Sequence, residues 1–252
     1  MFLSIIIIAR DEERHIGGAL ETAVLVADEV LVVLDPRTTD RTAEIAQEYG
    51  ATIVRHAFES FPRQRNAALD VASGEWVLFL DADERLTPDL IGELCDFRTR
   101  GEYSHAGYRL PRYNFYFGRW IKGGGWYPDR QLRLLRRGSA RYDEARLVHE
   151  LVQLAGTTGE LHGHLVHINI ETWPELHAKQ RRYALAEAQT LALAGVRAKW
   201  HNLLLQPLRE VKRRWMTWHG YRDGLLGLVL ALTMGYYELV KYIHLKGLEQ
   251  CR

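Results

Sequence analysis

The sequence predicts an α/β fold: a doubly wound, mainly parallel sheet, followed by an aromatic-rich region and C-terminal helices. Three observations predict it. Four runs of β-branched and apolar residues recur in the first hundred positions, apolar at consecutive residues, as strands covered on both faces require. Amphipathic segments of helical length separate these runs, which is the alternation of a βαβ array. The chain has 252 residues, 47% apolar and 26% charged. That is a globular composition, long enough to enclose a core in one large domain or one domain with an appendage.

Taken in order, 2–9 reads as the first strand, and 12–27 as a helix with Ile16, Ala19, Leu20, Ala23 and Val24 on one face. Residues 29–34 form a second strand, closed by Asp35-Pro36. Thr39 or Asp40 is placed to cap a helix over 42–49, and Gly50 stops it. A short strand at 51–55 and a helix at 64–73, ended by Gly74, precede the fourth strand at 75–80. That strand runs into Asp81-Ala82-Asp83. In such a sheet the ligand lies beyond the carboxyl ends of the strands, so the residues leaving each strand are where chemistry is sought.

From 101 to 170 the pattern changes to short aromatic-rich strands at 108–111, 113–117, 131–136 and 163–168, with Gly123-Gly124-Gly125 as a flexible loop. Residues 173–195 return to helix, and 199–246 read as two helices hinged near Gly220 to Gly224.

Charge and cysteine content exclude several classes. Thirty-three basic residues against 32 acidic ones leave a net charge of +1, which argues against a dedicated nucleic-acid binder. Cys95 and Cys251 form no CxxC pair, so neither a disulfide scaffold nor a cysteine zinc site is expected, and a reducing compartment is. The first hundred residues carry ten Lys/Arg and 19 Asp/Glu, the remainder 23 and 13. An acidic front and a basic rear suggest different partners for the two halves. The apolar start has no basic region before it and meets Arg10-Asp11-Glu12-Glu13-Arg14 at once, so it reads as a strand rather than a secretory signal.

Asp81-Ala82-Asp83 is the sharpest chemical feature. Two carboxylates where a chain leaves the sheet can approach one hard divalent cation, Mg2+ or Mn2+, held by one or two carboxylates and phosphate oxygens. The plainer alternative is a strand end with solvated acids. Asp35 opens onto the same crevice, where it accepts from a ribose or base N–H or merely initiates the turn before Pro36. Arg65 begins a helix just before the acidic strand end and either meets a diphosphate or lies on a solvated face.

Four segments, SIIIIARDEE at 4–13, VVLDPRTTDRT at 32–42, RNAAL at 65–69 and GEWVLFLDADE at 74–84, resemble in order and spacing the family 2 inverting glycosyltransferases of GT-A fold. Residues 128–134, Val148-His149-Glu150 and 179–183 are similar to the subgroup of lipopolysaccharide inner-core β-glucosyltransferases. The resemblance implies that Ala9, Arg10 and Glu12 surround the nucleotide base with Asp11. It implies that Asp35 contacts base or ribose, Arg65 lies near base or phosphates, Asp81 takes the ribose, and Asp83 holds the metal. The sequence departs from the common pattern at Ala9-Arg10-Asp11 and at Pro36-Arg37-Thr38-Thr39-Asp40. On this reading 1–100 is the nucleotide-sugar half, 101–195 the acceptor and catalytic half, and 196–252 a basic and apolar extension.

Inversion needs one general base to take the proton of the acceptor hydroxyl. Glu150 fits the family's acidic position downstream of the metal strand, with Asp129 and Glu144 as substitutes; a surface turn is the alternative. His162, His164 and His167 share part of a strand face, and His167 matches a histidine of the subgroup that contacts diphosphate or metal. Trp126, with Asp129 and Arg130, is a candidate acceptor contact, stacking on a sugar or packing in the core.

Residues 196–222 hold seven Lys/Arg and one acid among several aromatics, before fourteen uncharged residues at 224–237. Fourteen is short for a span of about 20, and the mix suits a segment lying in the headgroups of an anionic membrane. A core helix or a homo-oligomer contact are the alternatives. The expected activity is metal-dependent, inverting transfer from a UDP-sugar to a hydroxyl of a glycolipid or lipid-linked saccharide, in the cytoplasm at the inner membrane face. The rivals are a polyprenyl-phosphate glycosyltransferase and a sugar-nucleotide-binding module without catalysis. No GxGxxG follows the first strand, which disfavours a dehydrogenase.

Overall fold

The computed structural model describes residues 1–101, 103–144 and 152–250, the side chain of Gln250 apart. The chain begins with β1 (Leu3–Ala9), α1 (Ile16–Ala23), β2 (Glu29–Leu34), α2 (Thr42–Glu48), β3 (Thr52–Arg55), α3 (Phe61–Val71) and β4 (Trp76–Asp81). β1 pairs in parallel with β2, Ser4 opposite Glu29, and with β4, Ser4 opposite Val77. Side chains alternate between two apolar clusters. Leu3, Ile5 and Ile7 meet Trp76, Leu78 and Leu80 on one face, and Ile6 meets Leu31, Val33, Val77 and Phe79 on the other. Burial on both faces is why these strands read as unbroken apolar runs.

Two helix starts differ from the sequence reading, and the same helices end early, at Ala23 and Val71. α1 starts at Ile16 rather than residue 12, because the N–H groups of Glu12 and Glu13 are given to Thr42 Oγ1 and the Asp40 carboxylate instead of to a helix. α3 starts three residues early, since Ser60 accepts from the Arg63 N–H as its N-cap and Pro62 fills the first turn.

The chain continues through β5 (Glu84–Leu86), α4 (Pro88–Arg100), β6 (Gly107–Tyr116), β7 (Arg119–Trp120), β8 (Asp129–Arg136), β9 (Ala140–Tyr142), β10 (Val152–Leu154), β11 (Thr158–Glu160) and β12 (Leu165–Ile170). The sheet order is β3-β2-β1-β4-β8-β6-β12-β5. β8 runs antiparallel to β4 and β5 antiparallel to β12, so the sheet is parallel in its first four strands and mixed beyond. α4 carries the signals of a helix, Thr87 as N-cap, Pro88 in the first turn and Gly101 at φ 71 as terminator. The expected break after Pro111 is absent: β6 is one strand of ten residues that runs through it.

Two compact units divide the chain, Met1–Arg112 with Arg130–His167, and Tyr113–Asp129 with Ile168–Arg252. The second unit contains α5 (Trp173–Leu193), α6 (Trp200–Lys212) and α7 (Gly224–Gln250), the last two joined by a π-helical turn at Arg213–Thr217 and a 3-10 turn at Gly220–Asp223. Its apolar cluster gathers Tyr116, Ile121, Ile170, Leu176, Leu230 and Met234.

The triple-glycine segment is not a free loop. The Gly123 N–H donates to the Asp223 carboxylate, the Gly124 N–H to the Trp218 carbonyl, and the Gly124 carbonyl accepts from Arg214. A Cβ at Gly123 would lie 2.2 Å from the His219 carbonyl oxygen. Glycine is needed there for backbone approach, not for mobility. The helical run Gly220–Glu249 extends past the charged pair Glu238 and Lys241 and is long and apolar enough to cross a membrane by length and composition, with 33% of its most apolar window buried. The short uncharged run therefore underestimates the helix, because Lys241 pairs with Glu238 and Glu187 rather than ending it.

Candidate active site

The strand order reverses at β1: the chain leaves it towards β2 and β3 and returns on its other side as β4. A doubly wound sheet opens its crevice at such a reversal, beyond the carboxyl ends of the two strands. Here those ends are level, with Ile8 opposite Asp81 in the register. Arg85 joins the two exits: its guanidinium donates to the carbonyls of His15 at 2.7 Å, Ala82 at 2.9 Å and Glu84 at 2.8 Å. Gly18 leaves the room, since a Cβ there would stand 2.2 Å from Arg85 Nε.

At the β1 exit, buried Ala9 accepts the Asp35 N–H, and exposed Arg10 lies 3.5 Å from Asp11. Asp11 takes the left-handed conformation at φ 52, which costs about 1–3 kcal/mol outside glycine. Its carboxylate holds the bend by accepting the Thr39 N–H at 2.8 Å. Burial raises the Glu12 carboxyl, and the nearby carboxylates of Asp83, Asp40, Asp81 and Asp11 push it further, to about 7. A half-buried acid among like charges is the arrangement that binds a cation or moves a proton.

At the β4 exit the two predicted acids part company. Asp81 is gripped in bidentate fashion by Arg133, with Nη1 at 3.0 Å from Oδ1, and Arg65 stands 3.7 Å away. Burial pushes the Asp81 carboxyl up, and the guanidinium groups of Arg133 and Arg65 overcome this and hold it well below the usual carboxylate range. The strand ends at Asp81, so the rule that residues two apart share a face lapses in the turn, and Asp83 goes elsewhere. Asp83 Oδ2 lies 3.3 Å from His167 Nε2 on β12. The two acids of the expected cation site thus have different neighbours: Asp81 is bonded to Arg133, and Asp83 lies beside His167.

Among the described residues no three His, Cys, Asp or Glu side chains form a ready cation cage. Two protein donors nonetheless fit Mg2+ or Mn2+, which take one or two carboxylates and draw their remaining ligands from phosphate and water. Asp35 is buried and clasped by Arg37, with Nε at 3.0 Å and Nη2 at 2.6 Å and the Arg37 backbone N–H at 2.9 Å. Those bonds with Arg37 hold its carboxyl well below the usual range. Arg65 lies with its guanidinium 4.9 Å from the Phe79 ring and 5.5 Å from that of Tyr142, so it is fixed between aromatic faces rather than solvated.

Of the remaining candidates, Glu150 and His149 lie outside the described residues. Glu144 accepts from Asn66 at 2.9 Å. In the second unit Asp129 accepts from Asn114 at 3.0 Å, and Trp126 packs 5.4 Å from Tyr116 with the Arg214 guanidinium 4.6 Å over its ring. In the first unit exposed Arg130 pairs with Glu160 at 3.2 Å. Sequence reasoning missed Arg133, Glu84, Arg112 and Arg85. Three acids within four residues at 81–84 signal that arginines must come from somewhere, but not from where.

Residues 4–157 match the family model described as Glycosyl transferase family 2. The lipopolysaccharide core biosynthesis glycosyltransferase LpsC of Rhizobium meliloti (strain 1021) is 30% identical over 94% of this chain and 89% of its own length. The crystal structure of TarS from S. aureus, 17% identical, gives a TM-score of 0.50 over 99% of this chain and 55% of TarS, a likeness of fold. Glucosyl-3-phosphoglycerate synthase from Mycobacterium tuberculosis, crystallised with Mn2+, uridine-diphosphate-glucose and phosphoglyceric acid, is 24% identical over 46% of this chain and 44% of its own, with a TM-score of 0.35. At that distance its ligands remain its own.

The Glu12 environment has a pH signature. Below about 4.5 the carboxyl is protonated in folded and unfolded chains alike; between there and about 7 only the folded chain keeps the proton. The wild-type chain therefore loses stability as pH rises through this window, and above it carries an uncompensated charge. In EDTA, Glu12→Gln should match wild type in thermal midpoint near pH 4.5, gain on it up to pH 7, and hold a constant lead above. A lead that does not change with pH would contradict the assignment.

Proposed function

The chain belongs to glycosyl transferase family 2, and from that premise we propose that it is a metal-dependent, inverting enzyme. It transfers a sugar from a UDP-sugar to a hydroxyl of a glycolipid or lipid-linked saccharide of the envelope, as the similarity to a lipopolysaccharide core glycosyltransferase suggests. The observation that carries this reading is the β1 and β4 crevice, where Asp83 with His167 stands apart from the arginine-bound Asp81.

In this reading Asp83 and His167 would hold Mg2+ or Mn2+, which would supply positive charge for the departing nucleoside diphosphate. Asp81, oriented by Arg133, keeps carboxylate lone pairs for the ribose hydroxyls. Arg65, steadied between Phe79 and Tyr142, presents a fixed positive charge towards the base or phosphates. Asp35, Ala9, Arg10 and Glu12 border the base. Glu150 takes the proton of the acceptor hydroxyl on the face opposite the leaving group, and Trp126, Asp129 and Arg130 contribute to the acceptor side.

A membrane surface at the inner face of the cytoplasmic membrane is the proposed place of work, and α6 supports it. Its apolar stripe Trp200, Leu204 and Leu208 is 74%, 62% and 65% exposed. The one acid of 196–222, Glu210, is buried and held by Arg213 and Arg214. The helix thus turns apolar side chains outward beside a cationic margin, which is the design of an interfacial helix on anionic lipid.

Two measurements test these statements. With a UDP-sugar, Mn2+ and a lipid-linked core acceptor, Glu150→Gln should lower turnover by roughly 10²–10⁴-fold with donor affinity unchanged. A retained rate favours a phosphate nucleophile, and no wild-type turnover with any pair favours the non-catalytic module. Wild-type protein should sediment with phosphatidylglycerol vesicles and Leu204→Glu/Leu208→Glu should not. Equal sedimentation removes the membrane role, and a loss of dimer mass in the variant assigns the face to a second copy.

A further inference from the structure

The second unit contains a cavity of about 590 Å³ that none of these roles uses. One side is the strip Arg119–Lys122. Its position is set by a hairpin in which Tyr116 pairs with Arg119 and Phe115 with Trp120. Phe117 at φ 53 and Gly118 at φ 72 make the two-residue turn, the left-handed pair that matches strand twist. Ile121, 1% exposed, anchors the strip in the apolar cluster, and its N–H donates to the Asn114 carbonyl at 3.0 Å.

The other side is the start of α7. The Asp223 carboxylate accepts the backbone N–H groups of Lys122 and Gly123, both at 2.8 Å. Each of its two oxygens thus accepts one backbone N–H and fastens the strip to the helix. Arg119, Lys122 and Arg222 line the cavity, are exposed, and have no acidic partner among the described residues. Other cations of the same unit do have acidic partners, Arg213 and Arg214 in Glu210, Lys241 in Glu187 and Glu238. Trp120 forms a wall, with Lys122 Nζ 5.1 Å from its ring. The positive end of a 27-residue helix adds to the field.

The geometry points to a subsite for a phosphate-bearing sugar. Three cations converge on one cavity, more positive charge than a single carboxylate would match, and the volume is that of a small-molecule site. The indole wall suits the apolar face of a sugar ring. The inference rests on the transferase reading in one respect: within it, the phosphorylated sugar belongs to the acceptor, so the enzyme selects acceptors that already carry a phosphate. A kinase-type reaction must then precede this one.

The test is calorimetric titration of the full chain with glucose 6-phosphate and with glucose at matched ionic strength, without donor or metal. Glucose 6-phosphate should bind at least tenfold more tightly than glucose. Arg119→Gln and Arg222→Gln should each weaken it by about tenfold, as expected for loss of one charge-assisted contact. Both side chains are exposed, so folding is not at stake, and uridine diphosphate binding with Mn2+ should stay at the wild-type value. Equal affinity for the two sugars, or binding indifferent to both substitutions, overturns the subsite. If the double variant keeps glucose 6-phosphate binding but loses sedimentation with phosphatidylglycerol vesicles, the cations serve lipid headgroups and the acceptor assignment falls. Failure of the transferase reading would show separately, as absent uridine diphosphate binding.

Discussion

A carboxylate with no solvent contact organises the crevice. Glu84 is 0% exposed; its Oε1 accepts from Arg112 at 3.0 Å and Arg133 at 3.1 Å, and its Oε2 accepts the Asp81 N–H at 3.0 Å. Arg133 reaches on to the Asp81 carboxylate. A buried charge of this kind is tolerated only when paired and hydrogen-bonded, and removing one member typically costs about 3–5 kcal/mol. The network therefore fixes four elements at once: the end of β4, the start of β5, and the strands β6 and β8 that bring Arg112 and Arg133. Its chemical consequence is a division of labour between the two neighbouring acids. Asp81 is neutralised and aimed, while Asp83, in the turn beyond the strand, is left with His167.

The same crevice gathers more negative charge than it neutralises. Glu12 is pushed up by burial and then by Asp83, Asp40, Asp81 and Asp11, and Asp11 is held in a conformation that costs free energy. Strain and like-charge crowding survive in a fold only where the surroundings over-determine them. Under the proposed function a bound cation would relieve this crowding, and the acidic front half would serve that end. The basic rear half divides differently: some arginines lock Glu210 inside the helices, and others are left facing outward with no acid beside them among the described residues.

Much of the first hundred residues was legible because local and global preferences agree. The strands of β1, β2 and β4 are apolar on both faces, Gly50 ends its helix, and Asp81 and Asp83 stand where the sheet opens, although α3 stops at Val71, before Gly74. Three things were not legible. Arg112 and Arg133 lie far along the chain from Glu84, and no spacing rule pairs residues across a sheet. Gly123 looked like slack, because close approach of the His219 backbone is a tertiary fact. In α6 the mix of basic residues and aromatics was plain, but its orientation, Glu210 inward and Leu204 outward, depends on the packing of the C-terminal helices. Glu150, which carries the catalytic proposal, lies outside the described residues, and its role rests on motif and position.

The central claim of the proposed function is that Asp83, 3.3 Å from His167, is the residue through which a divalent cation strengthens nucleoside diphosphate binding. Calorimetric titration of uridine diphosphate into wild type and Asp83→Asn, each with Mn2+ and with EDTA, measures it directly. Binding should be at least tenfold tighter with Mn2+ in wild type, and in Asp83→Asn should show a metal-independent affinity equal to the wild-type value in EDTA. The same gain from Mn2+ in both proteins, or none in wild type, would contradict it.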